Sequence, residues 1–70
     1  PYDSNNGRAG DLYELRYWQD GWRSLGKMTA ESDTLVYEDV PVGALLWLHN
    51  HSGGREERIF TYENGKQVWW

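Results

Sequence analysis

Apolar and polar positions alternate with period two through most of the chain after residue 10, which predicts strands. In Asp11 to Trp18, DLYELRYW, Tyr13, Leu15 and Tyr17 share one face. Leu12, Glu14, Arg16 and Trp18 share the other. Leu12, Leu15 and Trp18 also recur three apart, so a helical reading exists, but the aromatics and the turn that follows favour a strand. Gln19-Asp20-Gly21 supplies that turn, and Trp22 to Lys27 returns as a second strand. Trp18 and Trp22 then face each other across a hairpin. After a polar connection, Met28 to Asp33, a third strand is expected over Thr34 to Glu38, with Leu35 and Tyr37 on one face. Pro41 cannot donate to a ladder and Gly43 permits positive φ, so Asp39 to Gly43 reads as a bend.

The last third, GALLWLHNHSGGREERIFTYENGKQVWW, carries the densest strand-and-turn signal. Gly53-Gly54 and Asn64-Gly65 are hairpin turn pairs, and Asn-Gly suits a type I′ turn because both central residues take positive φ. The segments they join, Ala44 to His51, Glu56 to Tyr62 and Lys66 to Trp70, form an expected three-stranded meander. Leu46 and Leu48 oppose Leu45 and Trp47, so Ala44 to Leu48 is the expected central strand, covered on both faces, with Trp47 in the core. Trp69 and Trp70 should point to opposite faces. The first ten residues, PYDSNNGRAG, lack periodicity and read as a linker or frayed terminus, with Tyr2 alone able to tuck back. The expected fold is all-β, a small antiparallel β-sandwich or partly open barrel of about six strands, in a single domain spanning residues 11–70.

Seventy residues are few for a self-sufficient core, and no cysteine provides a staple. Five Trp, five Tyr and one Phe answer that need, since each buried aromatic removes roughly 150–250 Å² from water. The net charge of -4, with seven Lys and Arg scattered among eleven Asp and Glu, gives no basic stripe for nucleic acid. No apolar run approaches the roughly 20 residues needed to span a bilayer as a helix.

Candidate chemistry is sparse. His49 and His51 project from the same face of a strand and are the weak candidates for a shared metal, for which spacing indicates no third ligand. Glu56 and Glu57 are adjacent and so point to opposite faces, which prevents them from acting as a carboxylate pair. No nucleophile sits in a Ser-His-Asp or Cys-His pattern, so no catalytic residue and no cofactor is assigned, and an enzyme is not expected. Carbohydrate-binding modules stack sugar rings on exposed aromatics. Trp18, Trp22 and Trp69 are the ligand-binding candidates here, because each lies beside polar neighbours, a turn or the last residues. Asn50-His51-Ser52 matches the N-glycosylation acceptor pattern.

One set of segments resembles a known module. LYELRYWQDGWRSLGK, LVYEDVPVGALLWLHN and REERIFTYENGKQVWW together resemble a C-terminal module of exported Bacteroidetes proteins. The resemblance covers Leu12 to Trp70. Such modules follow larger domains, among them transglutaminase-like (papain-fold) and carbohydrate-processing ones. It implies a β-sandwich accessory domain, ending at a natural C-terminus, exported to the periplasm or cell surface. It supplies no catalytic residues. In that setting Asp33-Thr34-Leu35 also matches a short O-glycosylation acceptor pattern. The expected function is a non-catalytic accessory or interaction domain of a larger cell-envelope protein, with residues 2–10 linking it to a neighbouring domain of the same chain. The alternative is a carbohydrate-binding module whose partner is a polysaccharide. Neither nucleic acid nor membrane insertion is expected.

Overall fold

The computed structural model describes residues 2–4, 7–54 and 59–70, with backbone alone at 3 and 4. The described residues are all-β. The strands are β1 (Tyr2–Ser4), β2 (Leu12–Trp18), β3 (Trp22–Thr29), β4 (Leu35–Tyr37), β5 (Leu46–Asn50), β6 (Phe60–Glu63) and β7 (Lys66–Trp69). An antiparallel five-stranded sheet has the order β3-β2-β5-β6-β7, and β1 pairs with β4 in a separate ribbon. The sheet does not close into a barrel. No helix among the described residues is long and apolar enough to cross a membrane.

The turns follow from local chemistry. Asn64 and Gly65 adopt φ of 51° and 73°, the left-handed conformations that a two-residue β6–β7 hairpin demands. Asp20 and Gly21 do the same work between β2 and β3, where Trp18 pairs with Trp22. The β2–β3 ladder slips by one residue between Glu14 and Arg16. Leu25 and Gly26 together face Leu15 as a β-bulge, with Gly26 at φ 112°. The bulge lets Leu25 pack against the core while Ser24 stays across from Arg16.

Alternation along the strands sorts the sheet into two faces. Tyr13, Leu15, Leu46, Leu48 and Phe60 lie on one face and are buried together with Tyr2, Leu35 and Tyr37 of the β1–β4 ribbon. Burying each such side chain contributes roughly 1.5–3 kcal/mol. The Tyr37 hydroxyl reaches the carbonyls of Tyr13 (3.3 Å) and Gly26 (3.2 Å), tying the ribbon to β2 and the bulge. Burial raises its pKa.

The structure departs from the sequence expectation at both ends of that core. The first residues, expected as a linker, supply β1. Tyr2 is fully buried, with its ring 5.3 Å from Phe60 and edge-on to Tyr62 at 4.9 Å. Gly7, Arg8 and Gly10 are also attached. The Gly7 amide donates to the Asp33 carbonyl (2.9 Å), the Arg8 amide to the Tyr13 hydroxyl (2.9 Å), and the Gly10 amide to the Ala30 carbonyl (2.8 Å). A short polar stretch with one aromatic has no period to reveal a strand. What fixes it is the packing of the Tyr2 ring against Phe60 and Tyr62. The meander appears as expected in β5, β6 and β7, and β5 is central in the sheet. The part of the expected strand over Glu56 to Arg58 lies outside the described residues. Trp47 is not in the core. It belongs to the opposite face of β5 and is only partly buried.

Candidate functional site

The face of the sheet away from the core holds a row of aromatic rings. Cross-strand pairing places Trp18 against Trp22, Arg16 against Trp47, and Glu14 against His49. On β2 and β5, Glu14, Arg16, Trp47 and His49 alternate with Tyr13, Leu15, Leu46 and Leu48, so the burial of those core residues turns them to the other face. The rings meet in sequence. Trp18 and Trp22 are 5.5 Å apart, Trp22 and Trp47 5.6 Å, Trp47 and His49 5.1 Å, and His49 and His51 4.4 Å. All four contacts are edge-to-face, at 63° to 85° between planes. This is the arrangement that ring quadrupoles favour. The Arg16 guanidinium sits 4.7 Å over the Trp47 ring, a cation–π contact.

One carboxylate organises the polar part of this face. Glu14 Oε1 accepts from Arg16 Nη2 (2.8 Å) and Nε (3.1 Å) and lies 2.8 Å from His51 Nε2. Glu14 is buried, 7% exposed. A hydrogen bond from Ser24, with those of His51 and Arg16, lowers its pKa to about 2 against the opposing effect of burial. Sequence reasoning assigned Glu14 no role. The available signal was its period-two spacing with Arg16 on the face that also carries Trp18. Its long-range partner, His51, required knowing that β5 pairs with β2.

The sequence candidates separate. Trp18 (50% exposed) and Trp22 (partly buried) come together at one end of the row. Trp69 does not join them. It pairs with Phe60 across β6–β7, with rings 6.0 Å apart, and therefore lies on the core side of the sheet. Trp18 and Trp22 are 78° apart in plane, so they do not make one flat platform. His49 and His51 do share a face. Yet no group of three or more His, Cys, Asp or Glu among the described residues is arranged to hold a metal ion. Asn50, the acceptor of the N-glycosylation pattern, is 4% exposed. Its Nδ2 donates to Asp11 Oδ2 (3.1 Å) and its Oδ1 accepts from the Ser52 amide (2.7 Å), which withholds it from modification in the fold. Thr34 is exposed. Glu56 and Glu57 lie outside the described residues.

A groove of about 190 Å³ lies elsewhere, lined by Val40, Val42, Tyr62, Glu63, Asn64 and Gly65. That is below the roughly 300 Å³ at which small-molecule pockets begin. The outer face is the more extensive feature. It offers rings and one ion cluster, which suits binding. Compared with protein-family models, with curated proteins and with solved structures, the chain matches none.

Proposed function

We propose that the chain is a non-catalytic accessory domain of a larger exported cell-envelope protein, docking a neighbouring domain of the same polypeptide through its outer sheet face. The observation that supports this reading is the aromatic row from Trp18 to His51, on a face that no second layer of the described residues covers. A face meant only for water carries polar side chains in such positions. Rings with polar tips, flanked by an Arg, are the residue types that dominate interface energetics. The resemblance to C-terminal modules of exported Bacteroidetes proteins supplies the parent and the compartment in this reading.

The test is calorimetric titration of the chain with the domain that adjoins it in the parent reading frame, each made as a separate polypeptide. Saturable binding is expected, weakened at least about tenfold by Trp18→Ala or Trp22→Ala. No binding, or binding indifferent to both variants, would count against it.

Carbohydrate binding is the second reading, favoured by Trp18, half exposed beside the exposed Gln19 and Asp20. The edge-to-face geometry limits it to a single sugar ring on Trp18.

A further inference from the structure

We infer that the partner docked on the outer face presents an acidic surface, and that one of its carboxylates is received by the Arg16 guanidinium together with Lys27. This rests on the docking reading and names the chemistry of what docks. Arg16 is held in the manner of a receptor. Glu14 Oε1 takes its Nε and Nη2 edge, at 3.1 and 2.8 Å. The Trp47 ring takes the flat side of the guanidinium, at 4.7 Å. A guanidinium carries five N–H donors, and those on Nη1 have no acceptor among the described residues. The side chain is 25% exposed. Two fixed contacts leave it little rotamer freedom for docking to remove, and its fork matches a carboxylate. Lys27 on β3 pairs with Glu14 on β2, so it shares the outer face. It is exposed and enters no ion pair among the described residues.

The distribution of charge sets the sign of the partner. On the outer face of β2, β3 and β5 the cations are Arg16 and Lys27, and the one acid is Glu14, which is 7% exposed and committed to Arg16 and His51. On β6 and β7, Glu63 pairs with Lys66. The excess acid lies elsewhere. Between Lys27 and Arg55 the sequence has no Lys or Arg but has Glu31, Asp33, Glu38 and Asp39, which account for the whole net charge of -4. All four are exposed, and they flank β4, whose ribbon packs on the core face of the sheet. The ribbon side therefore repels an acidic surface, and the outer face attracts one. Such a field orients the encounter and speeds it. The aromatic row then supplies the contact area, with Arg16 as its charged anchor.

Surface plasmon resonance with the adjoining domain of the parent polypeptide tests this, with circular dichroism confirming the fold of each variant. The association rate should fall at least about fivefold as salt rises from about 0.05 to about 0.5 M. Lys27→Glu should lower it at least about fivefold, and Glu38→Lys on the ribbon side should change it less than about twofold. Arg16→Lys, which keeps the charge and loses the fork, should speed dissociation at least about tenfold. Binding that Trp18→Ala weakens but that neither salt nor Lys27→Glu alters would leave docking standing and overturn the acidic partner. A domain that does not bind at any salt concentration would overturn both. Saturable binding of polygalacturonate alone, lost in Lys27→Glu, would replace the acidic domain with an acidic polysaccharide.

Discussion

His51 Nε2 lies 2.8 Å from Glu14 Oε1, joining the end of β5 to the middle of β2 across 37 residues of sequence. Around that contact the Asn50 side chain holds Asp11, and the Ser52 hydroxyl accepts from the Leu12 amide (2.9 Å). The chain leaving β5 is thereby fastened to the start of β2.

Acid should loosen this fastening in a defined direction. The folded-state pKa of Glu14 is lowered from 4.5 to about 2, so the unfolded chain binds the proton first as pH falls. The stability that Glu14 contributes is complete above its unfolded value and is lost as pH drops from about 5 toward 2. The shift corresponds to about 3 kcal/mol at neutral pH. Urea midpoints measured across this range should fall more steeply for the unaltered chain than for Glu14→Gln. The variant should start lower and respond less. Parallel curves would contradict the assignment.

Tyr2→Ala should cost roughly 3–5 kcal/mol in denaturant unfolding, the range for truncating a buried aromatic. Removing residues 1–4 should cost at least as much. A terminal linker would lose less than about 0.5 kcal/mol on either change.

Phe60→Ala should also cost roughly 3–5 kcal/mol, since its ring is fully buried between Tyr2 and Trp69. Trp47→Ala should cost less, roughly 1–2 kcal/mol, because it removes outer-face contacts with Trp22, His49 and Arg16 without opening the core. Paired chemical-denaturation curves order the two residues, and the reverse order would return Trp47 to the core.

These contrasts mark how far the sequence could be read. Period-two alternation located β2 to β7, and Asn64-Gly65 located the last hairpin, because both signals are local. β1 escaped, since three residues in a polar stretch have no period and their pairing with β4 is long-range. Trp47 was misplaced because a strand apolar on both faces looks the same whether its second face is covered by protein or open. The same ambiguity hid the site. Trp18 and Trp22 were legible as a hairpin pair, but the continuation through Trp47 to His51 depends on the β2–β5 register. Trp69 was grouped with them by residue type and its place near the last residues, and strand parity sends it to the other face.

Trp18→Ala also separates the two functional readings. For a docking face, titrating the chain with polysaccharides should leave tryptophan fluorescence unchanged. A saturable response that Trp18→Ala abolishes would establish sugar binding.

The most direct measurement is hydroxyl-radical footprinting of Trp18 and Trp22, comparing the chain alone with the same residues inside the parent polypeptide. Docking through the outer face is expected to protect both indoles in the parent while leaving Val42, which is 83% exposed and away from the row, equally reactive in the two. Equal oxidation of Trp18 and Trp22 in both samples would contradict it.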